Sequence, residues 1–79
     1  MLHLLVIDDD PATTRELRKL FPAPAHRTDS VTTGAEALER LWSDAPDVVV
    51  MEARLRNASG LELFDRIREI DPRIPVIFA

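Results

Sequence analysis

The stretch that decides the fold is PDVVVMEARLRNASG, residues 46–60 of the 79-residue chain. Its residues 48–51 form a continuous apolar run of strand length, bounded by Pro46 and Glu52. Continuous hydrophobicity is typical of a parallel strand that helices cover on both faces. In open α/β sheets, ligands collect at the carboxyl ends of the strands. Glu52 follows the run directly and is therefore the first candidate functional residue.

The rest of the chain alternates strand patterns with helix patterns around this central run. Apolar runs predict strands over 2–7 and 74–78, and a weaker Thr- and Val-containing segment predicts an edge strand over 26–31. Amphipathic segments predict helices over 11–21, 34–42 and 59–70. The predicted order β1α1β2α2β3α3β4 is that of an α/β fold, a doubly wound parallel sheet with right-handed crossovers.

Local sequence also predicts where each helix begins. Asp10 precedes a proline, and the pair suits an N-cap followed by the first helical position. Thr33 opens the sequence TGAE and Ser59 opens SGLE, and both match a capping box. The apolar periodicity places Leu20 and Trp42 on the inward faces of their helices, and it predicts that His3 is packed within the first strand.

Composition excludes several classes of function. A chain of 79 residues forms at most one domain, and a net charge of -4 argues against direct binding of nucleic acid. The absence of cysteine excludes disulfides and thiolate catalysis. The start, MLHLLVIDDD, is neither a signal peptide nor a membrane span, so we expect a cytoplasmic protein without a membrane partner.

Acidic residues follow two of the predicted strands. If the first and third strands are neighbours, Asp8 and Asp9 lie beside Glu52, and their mutual repulsion favours a bound cation. Oxygen ligands without nearby His or Cys favour Mg²⁺ or Mn²⁺. The alternative is that these acids only cap the following helix or point into solvent, and the spacing leaves both possibilities open.

Two segments carry a resemblance to a known family. LLVIDDDP and PDVVVMEARLRNASGLELFDRIREIDPRIPVIFA together resemble the receiver domain of two-component response regulators. The resemblance implies a flavodoxin-like (CheY-like) fold and a signalling module of the phosphorelay type rather than an enzyme. It also implies that Asp8 and Asp9 bind Mg²⁺, that the phospho-acceptor position falls on Glu52, and that the partners are a histidine kinase or other receiver domains.

Glu52 departs from the family, which uses aspartate at the acceptor position. The extra methylene moves the attacking oxygen by roughly 1.5 Å, about one C–C bond. Because phosphoryl transfer depends on positioning, we predict that Glu52 is not efficiently phosphorylated. Its charge either imitates a phosphorylated aspartate or only adds to the acidic site, and weak phosphate acceptance is the alternative.

Two further departures concern the loop and the end of the chain. Arg56 stands where receivers usually carry proline. Arg54 and Arg56 are candidate counter-ions for Glu52, and the alternative, which is the more common outcome for a loop arginine, is that they are solvated. Receivers have five strands, whereas this sequence ends after the fourth, so we expect residues 1–79 to be a single, partial receiver-like domain. The uncovered edge of the fourth strand predicts self-association, and a stand-alone dimerisation or inhibitory module is an alternative function. The other expectation is a fragment of a longer protein, and the resemblance to the amino-terminal module of bacterial transcription regulators implies a role in transcription regulation.

Overall fold

The computed structural model describes residues 1–55 and 58–79. The strands are β1 (His3–Ile7), β2 (Arg27–Val31), β3 (Val48–Met51) and β4 (Val76–Phe78). The helices are α1 (Pro11–Leu20), α2 (Gly34–Ser43) and α3 (Ala58–Ile70), and a short 3₁₀ turn spans Ala53–Leu55. The strands form one parallel sheet in the order β2-β1-β3-β4. The predicted α/β fold and its order of elements are therefore confirmed.

The sheet register brings the ends of β1 and β3 together. Ile7 at the end of β1 lies beside Met51 at the end of β3, and beside Val31 on its other neighbour, β2. Because all strands run in the same direction, the residues that follow them emerge at one edge of the sheet. This edge, the carboxyl end of the sheet, is where the acidic residues lie.

Helices cover both faces of the sheet, as continuous hydrophobicity in β1 and β3 predicts. Alternate residues of a strand point to opposite faces, so each strand contributes to two cores. Leu5 and Met51 pack on one face with α2 and α3, whereas Val6 and Val50 pack on the other face with α1. The two inner strands are thereby covered on both faces.

Two of the three predicted helix caps are observed. Asp10 accepts a hydrogen bond from the Ala12 backbone N–H at 3.0 Å, and Thr33 accepts one from Glu36 at 3.2 Å. The cap predicted at Ser59 is wrong, because α3 begins at Ala58 and includes Ser59 in its first turn. The exact residue at which a helix starts depends on the path of the preceding loop, which a local capping pattern does not encode.

Two predicted core residues lie outside the core. Leu20 is 71% exposed and Trp42 is 75% exposed, whereas His3 is buried as predicted. In α2 the buried positions are Ala37 and Leu41, which are four residues apart and share one helix face. Trp42 is turned about a quarter of the way round the helix from Leu41 and so faces solvent.

The edge strands differ from the inner ones. β2 lies at one edge, as predicted, and β4 lies at the other edge of the sheet that the described residues form. The prediction placed a buried strand over 74–78, but β4 is shorter and only partly covered, with Ile77 51% exposed. An edge strand has a partner on one side only, which explains its lower burial. None of the helices among residues 1–55 and 58–79 is long and apolar enough to cross a membrane.

Candidate functional site

Asp8 and Glu52 are brought together by the pairing of β1 with β3. Each follows the last residue of its strand, and the Glu52 N–H donates a hydrogen bond to the carbonyl of Ile7 at 3.2 Å. The Asp8 N–H donates to the carbonyl of Val31 at 3.0 Å, so backbone bonds fix both residues to the sheet. The adjacency on which the predicted site depends is therefore present in the fold.

Asp8 is the buried acid of this edge. Its side chain is only 1% exposed, and its Oδ1 accepts a hydrogen bond from the Asp10 N–H at 2.7 Å. Its other oxygen, Oδ2, is buried and has no hydrogen-bond partner. A buried carboxylate oxygen without a hydrogen-bond donor is energetically costly. An unsatisfied oxygen of this kind indicates that a further group would complete the site.

Asp9 and Glu52 flank Asp8 in different surroundings. The Asp9 side chain is 79% exposed, whereas the Glu52 side chain is partly buried. Glu52 Oε2 accepts a hydrogen bond from the Arg54 backbone N–H at 2.8 Å, which folds the start of the 3₁₀ turn back over the end of β3. We call Asp8, Asp9 and Glu52 the acidic site.

The guanidinium of Arg54 lies against all three acids. Its Nε is 2.9 Å from Glu52 Oε2, and its Nη2 is 3.3 Å from Asp9 Oδ1 and 3.8 Å from Asp8 Oδ1. The hydrogen bond to Glu52, followed by the negative charges of Glu52 and Asp9, raises the pKa of the Arg54 guanidinium. Arg54 therefore stays charged and partly offsets the repulsion among the acids. Arg56, the other predicted counter-ion, lies outside the described residues.

The donor set of the acidic site suits a hard divalent cation. Its potential ligands are carboxylate oxygens, and the orphaned Asp8 Oδ2 supplies a buried oxygen that a cation would satisfy. The residues present therefore fit Mg²⁺. The oxygens are nevertheless not gathered into a compact set, because the described residues contain one group of three ligands within 4.8 Å of one another, and that group lies elsewhere.

The compact group is at the opposite, amino end of the sheet. It consists of His3 in β1, Asp29 in β2 and Asp44 after α2. The Nε2 of His3 lies 2.8 Å from Asp29 Oδ2, and Arg27 bridges Asp29 at 3.2 Å and Asp44 at 2.5 Å. Arg40 Nη1 adds a longer contact with Asp29 at 3.7 Å. We call these five residues the amino-end cluster.

The amino-end cluster is internally satisfied. Arg27 Nη2, which can only donate, lies 2.9 Å from His3 Nδ1 and 2.8 Å from His3 Nε2, and Nε2 also lies 2.8 Å from Asp29 Oδ2. The backbone N–H of His3 donates to Asp47 at 2.7 Å. A guanidinium already occupies the space between the potential ligands, so the cluster serves to join β1, β2 and α2.

The amino-end cluster was not predicted from the sequence. Arg27 and Asp29 weigh against a buried strand when each is considered alone. Their spacing of two residues places them on one face of β2, and that spacing was the available indication. Their partners on β1 and α2 become visible only once the strand register is known.

Comparisons with known proteins identify relatives in sequence and in fold. The family model described as "Response regulator receiver domain" matches residues 4–79. Transcriptional regulatory protein GlrR of Escherichia coli (strain K12) is 32% identical over 75 residues, which are 95% of this chain and 17% of that protein. The chain thus spans about a sixth of the length of that curated relative.

Solved structures with the same fold include receivers in two contexts. A structure of histidine kinase ThkA in complex with response regulator protein TrrA matches with a TM-score of 0.77 and 28% identity, covering 99% of this chain and 67% of that one. The pseudo-receiver domain of the CikA protein matches with a TM-score of 0.72 and 25% identity, covering 99% and 68%. Together with the family model, these similarities show that the chain belongs to the response regulator receiver domain family of two-component systems.

Proposed function

We propose that this chain is an atypical receiver module of phosphorelay signalling, which acts through protein–protein contact and carries Glu52 in the phospho-acceptor position. The observation that carries the proposal is the placement of Glu52 at the carboxyl end of β3, beside buried Asp8 and against Arg54. The family provides the signalling context, and the glutamate provides the departure from it.

Two features disfavour phosphorylation of Glu52. The longer side chain displaces the attacking oxygen by roughly one C–C bond, and misplacement near 1 Å costs about a hundredfold in rate. In addition, Oε2 accepts the Arg54 backbone N–H at 2.8 Å and lies 2.9 Å from its Nε. These contacts hold the oxygen in place and withdraw its electron density, which makes it a poorer nucleophile.

Intact-mass measurement after incubation with acetyl phosphate and Mg²⁺ tests the proposal. We expect no added phosphoryl group on the wild-type protein and a hydroxylamine-labile one on Glu52→Asp, in which the shorter side chain restores the usual acceptor. Glu52→Gln is the matched control and stays unmodified. A wild-type protein that gains one hydroxylamine-labile phosphoryl group, lost in Glu52→Gln, would overturn the proposal.

That contrary result would instead favour a second candidate function, a Mg²⁺-dependent receiver that accepts phosphate weakly on Glu52. The orphaned Asp8 Oδ2 supports it, because a cation held by Asp8, Asp9 and Glu52 would satisfy that oxygen. Such an ion would supply charge neutralisation for a transferring phosphoryl group. Addition of EDTA would then abolish the mass gain, whereas a cation-independent reaction would persist.

The partners proposed for this module are a histidine kinase or another receiver domain. Support comes from the similar TrrA protein, whose structure contains a histidine kinase, and from the pseudo-receiver fold of CikA.

Self-association through β4 is a related proposal, supported by the half-exposed Ile77 on an edge strand. Light scattering tests it: Ile77→Lys should convert a dimer to a monomer, and a wild-type monomer at high concentration would contradict it.

A further inference from the structure

We propose that Arg54 is a built-in competitor of the divalent cation, so that a cation occupies the acidic site only when the guanidinium leaves it. This inference rests on the proposed cation site and concerns a residue that follows the site in sequence. It gives the module two states, one with Arg54 against the acids and one with a cation in its place.

Arg54 contacts one oxygen of each acid that would hold the cation. Its Nη2 lies 3.3 Å from Asp9 Oδ1 and 3.8 Å from Asp8 Oδ1, and its Nε lies 2.9 Å from Glu52 Oε2. Mg²⁺ requires oxygen ligands at about 2.0–2.1 Å in near-ideal octahedral geometry. Oxygens that are oriented toward a guanidinium cannot simultaneously meet that requirement.

The spacing of the acids suits a guanidinium better than a small ion. Asp8, Asp9 and Glu52 do not form a set of ligands within 4.8 Å of one another, although such a set exists among the described residues at the amino end. A planar guanidinium spans carboxylates over a longer distance than a small ion does. Binding of a cation would therefore require the acids to close in as Arg54 withdraws.

The exposure of the Arg54 side chain favours its release. Its side chain is 64% exposed and extends over the surface from the 3₁₀ turn, so water can solvate the guanidinium after release. The Asp9 side chain is 79% exposed as well, so its ion pair with Arg54 contributes little net free energy. Asp8 Oδ2, which Arg54 leaves without a hydrogen bond, gives the cation a contact that the guanidinium does not provide.

Calorimetric titration of the protein with MgCl₂ tests the inference. We expect Arg54→Gln to bind Mg²⁺ about tenfold more tightly than the wild type, because the competitor is gone. Arg40→Gln is the matched control, since it removes the same charge at the amino end, and its affinity should equal that of the wild type. In the wild type, the Arg54 Nε–H resonance should shift as the ion binds.

Each other outcome overturns the inference in a distinguishable way. Equal affinities of wild type and Arg54→Gln would retain the cation site but exclude competition. Equal gains in Arg54→Gln and Arg40→Gln would assign the effect to overall charge. Weaker binding by Arg54→Gln would make Arg54 a supporting residue. No binding by any variant would remove the cation site and the inference with it, whereas the acetyl phosphate experiment on Glu52 would stand independently.

Discussion

The two ends of the sheet both gather carboxylates around an arginine, but they do so with different results. At the amino end, Asp29 and Asp44 meet Arg27, Arg40 and His3, and each carboxylate has a donor. At the carboxyl end, three acids share Arg54, and one buried oxygen of Asp8 has no partner.

Compactness alone therefore does not identify a cation site. The amino-end cluster brings its ligand atoms within 4.8 Å of one another, yet its charges are already matched by guanidinium groups. The acidic site is looser but retains excess negative charge and an unsatisfied oxygen. An excess of acid and an orphaned atom are the properties that a cation would relieve.

We expect the strongest destabilisation at the contact between α3 and the 3₁₀ turn that contains Arg54. A Cβ on Gly60 would overlap the backbone carbonyl of Leu55, the last residue of the 3₁₀ turn. Gly60→Ala should therefore lower the free energy of unfolding by about 2–3 kcal/mol and displace the turn from the acids. Urea denaturation provides the measurement.

Gly34→Ala is the matched control, because its Cβ would meet only the flexible side chain of Leu63, at 3.3 Å. Alanine also favours the helix by up to about 1 kcal/mol, so this variant should be near neutral or stabilising. If Gly60→Ala were tolerated as well as Gly34→Ala, the described approach of α3 to the turn would be incorrect.

A pair of isosteric substitutions should separate the two ends by the sign of their effect. Asp29→Asn removes a charge that His3, Arg27 and Arg40 share, and should lower the free energy of unfolding by about 1–2 kcal/mol. Asp8→Asn removes one of three neighbouring negative charges. In the absence of divalent cations it should raise the free energy of unfolding by up to about 1 kcal/mol.

Thermal and chemical unfolding in EDTA measure both variants under the same conditions. Destabilisation by both substitutions would show that Asp8 is satisfied in the native state and that the two ends do not differ as described. In the presence of Mg²⁺ the wild type should be more stable than Asp8→Asn. The variant lacks one ligand charge, so the ion adds less to its free energy of unfolding.

The mildest substitution concerns the ion pair between Arg73 and Asp71, which lies outside the acidic site and the amino-end cluster and serves as a reference. Hydrogen bonds from Arg73 lower the pKa of Asp71, which follows α3. The stabilisation is present above the ordinary aspartate pKa of 3.8 and is lost as the pH falls through the lowered value. The small stability difference between wild type and Asp71→Asn should therefore vanish in strong acid, and a difference that persists there would contradict the assignment.

Much of the fold could be predicted because it depends on local patterns. The apolar runs of β1 and β3 require cover on both faces, and Asp10 and Thr33 supply cap chemistry within a few residues. Trp42 and Ser59 were misplaced for a different reason. A rotation of α2 by one residue and the entry path of α3 are set by packing against the sheet, which apolar periodicity defines only coarsely.

The adjacency of the acids at the ends of β1 and β3 was predictable to a similar extent, whereas their binding of a cation stays a prediction. Strand ends and the family resemblance pointed to Asp8, Asp9 and Glu52, because parallel strands deliver their carboxyl ends to one edge. The contact of Arg54 with Glu52 required the conformation of the 3₁₀ turn, and Arg56 lies outside the described residues. The partners of His3 required the register between β1 and β2, since residues that are 26 positions apart meet only across paired strands.

The most direct test of the contrast between the two ends is a backbone ¹⁵N–¹H spectrum recorded during titration with MgCl₂. We predict that shifts concentrate at residues 8–10 and 52–55, while the amides of His3, Arg27, Asp29 and Asp44 stay in place. Shifts centred on the amino-end cluster, or no shifts at saturating Mg²⁺, would contradict the assignment of the cation site to the carboxyl end of the sheet.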